Sequence, residues 1–259
     1  MTSLLLMLTG SLAGALGAPV GVGGGIVVVP ALVLGFGIPM VEAVPVSLLC
    51  VVASSCGAAA AYVEQGLSDV RLATVLEVAT VTGALAGGAM AGVAPAWLLA
   101  LAFGIFALYV AVQLLRRSGV VEAEPDGPIT GTYQNLSWGL GGSFVAGGLS
   151  ALLGVGGGPV KVPLMRYVMN VPFRRASATS NLMIGVTGAA SVVTYALAGH
   201  LRLELAAPLV VGVLVGAVAG AKLMVRAPIP VLKRVLAVVL LAVAGQMLWK
   251  GGESLWPMQ

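Results

Sequence analysis

Apolar residues along this chain come in long runs, and the polar positions between them are few and clustered. A bilayer core about 30 Å thick takes about 20 apolar residues per helical crossing. Runs of that length stand at 41–62, 72–93 and 96–115, and again at 175–198, 203–225 and 229–249. Each set of three follows a longer apolar stretch, 3–36 and 136–169, that a cluster of glycines interrupts. Turns such as Glu64-Gln65-Gly66 separate the runs. One long polar segment, 116–133, carries Arg116, Arg117, Glu122, Glu124, Pro125, Asp126 and Pro128 and reads as an aqueous linker. The pattern predicts an all-α, multi-pass membrane protein.

The two sets are copies of one unit. At a constant offset of 133 residues, Gly14 meets Gly147, and Gly21, Gly23, Gly24 and Gly25 meet Gly154, Gly156, Gly157 and Gly158. Pro30 and Pro39 meet Pro163 and Pro172; Ser47, Tyr62 and Gly66 meet Ser180, Tyr195 and Gly199. Gly83, Gly87, Pro95 and Gln113 meet Gly216, Gly220, Pro228 and Gln246. Apolar matches are cheap in such a sequence, but Pro, Tyr, Gln and a glycine cluster in one register are not. The chain therefore divides into a first transmembrane repeat (1–116), a linker (117–133) and a second repeat (134–259). Each repeat holds a Gly-broken re-entrant or discontinuous helix pair followed by three transmembrane helices.

Composition agrees with a lipid environment. Hydrophobic residues make up 59% and charged residues 8%, against about a quarter charged in soluble domains. Met1-Thr2-Ser3 has no basic residue, so the first segment is expected to belong to the mature protein rather than to a signal peptide. The net charge of +4 rests on only 13 Lys and Arg placed beside apolar spans. They are expected to set topology rather than bind nucleic acid. Cys50 and Cys56 share one span but, six residues apart, point about 600° around a helix. No disulfide, metal site or cofactor is expected.

The basic residues also bear on repeat orientation. If the interrupted stretch crosses once, the repeats are parallel. Arg166, Arg174, Arg175, Lys222, Arg226, Lys233 and Arg234 then share one side, and Arg71, Arg116, Arg117, Arg202 and Lys250 the other. If its arms form a hairpin, the repeats are inverted, and all of these except Arg202 and Lys250 share one side. The second division is the stronger positive-inside signal. It predicts inverted repeats with a cytoplasmic linker and external termini, in the inner membrane.

The chemistry lies in the glycine clusters. The first copy reads Gly21-Val22-Gly23-Gly24-Gly25-Ile26-Val27-Val28-Val29-Pro30, the second Gly154-Val155-Gly156-Gly157-Gly158-Pro159-Val160-Lys161-Val162-Pro163. Contiguous glycines let the backbone leave helical geometry, which is tolerated at membrane depth only where protein or a cavity satisfies it. A helix restarting there, with Pro159 in its first turn, points free N–H groups and a partial positive charge into the protein. Two such starts related by an inverted repeat form a backbone anion site of the kind found in secondary transporters. The competing reading is close helix packing, which spaces its glycines by four.

These paired segments ending in Pro, with Ser47 in Pro45-Val46-Ser47 and its partner in Ala178-Thr179-Ser180-Asn181, resemble the sulfite exporter TauE/SafE family over essentially the whole chain. The resemblance implies a membrane permease for sulfur-containing anions such as sulfite or sulfonates. The first copy departs from the second, with Leu48 where the second has Asn181, so its polar lining is expected to be weaker.

Candidate substrate-binding residues are Gly23, Gly24, Gly25, Ser47, Gly156, Gly157, Gly158, Lys161, Thr179, Ser180 and Asn181. Lys161 matches Val28 and could add a full charge to an anion site or snorkel to the interface. Glu77 matches Val210; ion pairing, proton coupling and a place near the interface below Arg71 are all open to it. Gln113 and Gln246 suit interfacial hydrogen bonding, Tyr62 and Tyr195 suit an aromatic belt, and His200 lies in a loop. The expected function is alternating-access transport of a small anion. A passive anion channel is the alternative. An intramembrane enzyme lacks a nucleophile–base pair or metal ligands in this sequence. The expected partners are the anion, the bilayer and, left open, a second copy of the chain.

Overall fold

The computed structural model describes residues 2–17, 24–116, 133–224 and 229–253. Gly21, Gly23, Arg226, Pro228, Arg117 and the linker residues from Glu122 to Pro128 lie outside them. The described residues are helical, with no strand. In order they are α1 (Thr2–Gly17), α2 (Gly25–Pro30), α3 (Met40–Glu64), α4 (Val70–Ala91) and α5 (Ala96–Arg116), then α6 (Leu136–Leu153), α7 (Gly158–Pro163), α8 (Phe173–Leu197), α9 (Leu203–Met224) and α10 (Ile229–Glu253). Among the described residues, α4, α5, α6, α8 and the Arg234–Gly252 part of α10 are long and apolar enough to cross a membrane.

Local structure repeats with the sequence. Both α2 and α7 end at a proline and run on as a π-helical turn, over Ala31–Gly35 and Leu164–Val168. Pro30 and Pro163 lack an N–H and crowd the carbonyl four residues back, which favours widening of the ladder. Ile38 N then donates to Leu32 O at 3.0 Å, and Val171 N to Met165 O at 2.9 Å, at matched positions. Helices α3 and α8 stop in the same way, with Leu67 N bonded to Tyr62 O and His200 N to Tyr195 O, both at 3.0 Å. These six-to-one bonds satisfy carbonyls that the last turn leaves free.

Packing crosses between the repeats. Helix α1 packs on α9 and α6 on α4, while α3 packs on α8 and α5 on α10. Each of these pairings maps onto itself or onto another when the repeats are exchanged. Glycines make the close approaches: a Cβ at Gly14 would overlap Val213 O, and one at Gly147 would overlap the matched Thr80 O. Likewise Gly83 lies on Phe144 O and Gly216 on the matched Ser11 O. Small residues bring backbones together where lipid supplies no hydrophobic drive between helices. Neither repeat is a body by itself, because the first helix of each is seated on the other.

Four polar contacts relate the ends of the helices. Asn135 Nδ2, just before α6, donates to Val168 O at 3.0 Å, at the end of the π-turn after α7. Arg202 Nη1 pairs with Glu42 Oε2 at 3.1 Å. Lys250 Nζ reaches Val33 O at 3.4 Å. Tyr133 donates to Asp69 Oδ2 at 2.5 Å. Burial and the Asp69 carboxylate push the Tyr133 phenol up to about 12, against the pull of Arg71 and Arg175.

One expectation is corrected and one alternative is removed. Tyr195 is not an aromatic-belt residue: it is 1% exposed, and its hydroxyl donates to Ala151 O at 2.9 Å. Its site on α8 faces α6, and a buried phenol needs a hydrogen-bond partner. Lys161 does not snorkel, since it too is 1% exposed. Its ammonium has a partner inside the protein. Cys50 is buried and Cys56 exposed, on different faces of α3, and both are free thiols.

Candidate functional site

The two glycine clusters meet in the interior. Gly25 opens α2, and its Cβ position lies 2.5 Å from Gly154 O and 2.9 Å from Ser47 Oγ. Only a glycine lets these main chains come so close. Ser47, fully buried on α3, closes the junction, with Oγ 2.8 Å from Gly154 O and 3.1 Å from Gly25 O. Its single proton is directed at those two carbonyls. The hydroxyl thus ties the start of α2 to the end of α6, across the repeats.

The second cluster carries the chain from α6 into α7. Gly156 and Gly157 have φ of +82° and +75°, the left-handed region that costs an L-residue roughly 1–2 kcal/mol. Gly157 O accepts the first bonds of α7, from Val160 N at 3.1 Å and Lys161 N at 3.0 Å. Gly24 O plays the same part for α2, with Val27 N and Val28 N both at 3.1 Å. The N–H groups of Gly156, Gly157 and Gly158 precede these bonds, and Pro159 has none to offer. Gly24, Gly25 and Gly158 are buried. Gly23 lies outside the described residues.

Lys161 stands one turn into α7. Its Nζ donates to Thr187 Oγ1 on α8 at 2.7 Å, and Thr187 in turn lies 2.6 Å from Glu77 Oε1 on α4. Glu77 Oε2 is 3.9 Å from the ammonium. The matched positions in the opposite repeats are Val28 and Ser54 in the first and Val210 in the second, so this charged group exists on one side only. Burial of such a pair disfavours separating it, because either charge alone is costly away from water.

The other candidates are divided. Thr179 is buried, and its Oγ1 accepts from Asp69 N at 3.0 Å. Asn181 Nδ2 donates to Ser177 O at 3.0 Å, one turn back on its own helix. Ser180, fully buried, has no hydrogen-bond partner for its hydroxyl among the described residues. The structure thus joins Gly25 and Ser47 with Gly154, and Lys161 with Glu77. It gives Thr179 and Asn181 main-chain partners. Thr187 and Ser150 escaped the sequence reading. Thr187 lies seven residues after Ser180, two turns along one helix face, and that spacing was the available signal. Ser150 is buried without a partner among the described residues, and its Cβ lies 3.4 Å from the Gly157 Cβ position.

Comparison with known proteins settles the family. The model of the sulfite exporter TauE/SafE family matches residues 6–247, nearly the whole chain. The chain belongs to the sulfite exporter TauE/SafE family. It is a membrane transporter of that family. It is similar to "Probable membrane transporter protein YunE" of Bacillus subtilis (strain 168), with 26% identity over 97% of this chain and 99% of that protein. A "Probable membrane transporter protein" of Xylella fastidiosa (strain 9a5c) is 26% identical over 91% of this chain and 90% of its own length. "Probable membrane transporter protein MamO" of Magnetospirillum gryphiswaldense is 33% identical over 51% of this chain, which is 21% of the longer protein. No solved structure matches the chain.

Proposed function

We propose that this TauE/SafE transporter is a secondary carrier of a small anion, a sulfite, sulfonate or other sulfur oxyanion, in the inner membrane. The observation that carries the reading is the junction of the two glycine clusters, with Ser47 Oγ within hydrogen-bond distance of both Gly25 O and Gly154 O. Gly25 opens α2 at this junction and Gly158 opens α7 four residues after Gly154; each helix start offers a partial positive charge, and Lys161 on α7 adds a whole one. Gly24, Gly25, Gly156, Gly157, Gly158, Lys161 and Ser180 are the residues proposed to receive the oxyanion, with Ser150 beside them. A sulfur oxyanion suits the site because its several equivalent oxygens accept from N–H and O–H donors arriving from different directions.

The repeats are proposed to be inverted, with each glycine-broken pair returning to its starting side. Three contacts support this. The Asn135–Val168 bond joins the two ends of the second pair. The Glu42–Arg202 ion pair and the Lys250–Val33 bond join groups that the inverted arrangement puts on one side and the parallel arrangement on opposite sides. Labelling Glu122→Cys and Gln259→Cys in intact cells checks the assignment. The linker is expected to label only from the cytoplasm and the C-terminus only from outside. Labelling of both from the same side defeats the inverted arrangement.

In alternating access the site opens to one side at a time. The duplicated helix pairs, seated across the repeats, provide two halves that can rock. The transport test is uptake of labelled sulfite and of a small sulfonate by liposomes holding the purified protein. Saturable uptake that speeds up when the same ion is loaded inside is the expected result. Uptake that rises linearly and ignores the internal ion assigns a passive channel instead.

A further inference from the structure

In the group of Lys161, Thr187 and Glu77 the first two are buried and Glu77 is 12% exposed, and the group is not closed. A Lys ammonium has three N–H donors, and here it makes one hydrogen bond, to Thr187. Glu77 Oε1 takes the Thr187 hydroxyl. Among the described residues, Glu77 Oε2 is buried with no hydrogen-bond partner and lies 3.9 Å from Nζ, longer than a hydrogen bond. Ser150 Oγ is also buried and unpartnered among them, and one point, the Gly157 Cβ position, lies 3.4 Å from Ser150 Cβ and 3.5 Å from Lys161 Cε. Unused donors and an unused acceptor therefore stand within one ion-paired group, and Gly157 lies between its Lys161 stem and Ser150.

Packing does not ask for this arrangement. Val28 in the first repeat and Val210 in the second fill the matched positions. Two charges that only held helices together would be replaceable by such residues at little cost.

We propose that Glu77 couples anion transport to a proton: an anion arriving at Lys161 displaces the carboxylate, Glu77 takes up one proton, and proton and anion cross together. This rests on the anion site proposed above and adds its coupling ion. The charge balance is simple. Ammonium and carboxylate sum to zero in the empty site. A monoanion would leave one uncompensated negative charge away from water, which is strongly unfavourable. Forming an O–H bond at Glu77 from an aqueous proton restores neutrality. On release the anion leaves, the O–H bond breaks to water on the same side, and Glu77 returns to Lys161. No bond within the anion forms or breaks. Thr187 is a positioning residue, holding both partners by its one hydroxyl.

The charged surroundings leave this pairing isolated. Glu77 lies on α4, which packs against α6 and α8. Helix α6 carries no titratable residue, and α8 carries Arg174 and Arg175 at its start and Tyr195 near its end. Arg71 lies six residues earlier on α4 itself, exposed at the start of the helix. Lys161, from α7, is the cation within ion-pair distance of Glu77 among the described residues.

The test is calorimetry on the purified full chain near neutral pH, titrated with methanesulfonate and with sulfate in buffers of different ionisation enthalpy. These ions hold their charge at that pH, so any proton taken up belongs to the protein. Wild type is expected to take up about one proton per methanesulfonate bound. Glu77→Gln, which resembles the protonated acid, is expected to bind within about threefold of wild type and to take up none. Binding to wild type without proton uptake overturns the coupling, whether or not the variant folds. Equal uptake by both proteins overturns it too, since the proton then goes elsewhere. Absence of binding to wild type by either ion overturns the anion site itself, and the coupling with it.

Discussion

Replacing Gly157 with valine is expected to abolish anion transport while leaving the protein in the membrane. Gly157 has φ +75°, where a β-branched residue is a genuine outlier. Its Cβ position is also 3.1 Å from Ala146 O and 3.5 Å from Lys161 Cε. Valine must therefore either drive the backbone out of the left-handed region or push α7 away from α6. Either change turns the N–H groups of Gly157 and Gly158 and shifts Lys161 on the first turn. The strain is local, roughly 1–2 kcal/mol for the backbone alone, so the helix assembly is expected to survive it. Gly157→Ala is expected to transport at an intermediate rate, because alanine tolerates positive φ better than valine and adds less bulk. The measurement is liposome uptake normalised to inserted protein. Normal flux in the valine variant reduces the glycine run to a packing motif.

The second large effect is expected at Lys161, and the structure dictates how to measure it. Lys161→Met keeps the aliphatic stem and removes the charge, but it leaves Glu77 buried without its ammonium. Removing one partner of a buried pair costs about 3–5 kcal/mol in general, so the single variant mixes folding with binding. The cleaner comparison is Lys161→Met with Glu77→Gln against Glu77→Gln alone, since both lack the carboxylate charge. The pair of variants is expected to differ by at least about tenfold in anion affinity, or roughly 1.4 kcal/mol. Equal affinities by calorimetry would remove the ammonium from the anion site and leave it a structural partner of Glu77.

Much of this molecule was legible in the sequence. The expected spans at 41–62, 72–93 and 96–115 correspond to Met40–Glu64, Val70–Ala91 and Ala96–Arg116. Those at 175–198, 203–225 and 229–249 correspond to Phe173–Leu197, Leu203–Met224 and Ile229–Glu253. Lipid forces every backbone group to be satisfied within its own segment, so an apolar run of sufficient length has one outcome, a helix, and its ends are set by turn residues such as Gly66 and Gly199. The duplication was legible because Gly and Pro sit where backbone geometry needs them, and that geometry recurs at the same offset. Lys161 and Glu77 stood out because charge inside an apolar span is rare and costly.

What only the tertiary structure decided is which faces meet. In a soluble protein the apolar stripe of a helix marks its buried side. In lipid both the buried and the exposed sides are apolar, so that signal disappears. Hence nothing in the pattern seated α1 on α9 or α6 on α4, turned Tyr195 inward to Ala151, or directed Ser47 at carbonyls of both glycine clusters. The partner of Lys161 was hidden for the same reason. Glu77 and Thr187 stand 110 residues apart in the chain, in different repeats, and no local spacing joins them. The sequence determined how many charges the membrane interior holds; the packing of α4, α7 and α8 decided that they form one group, because a buried charge is tolerable only where another element brings it a partner.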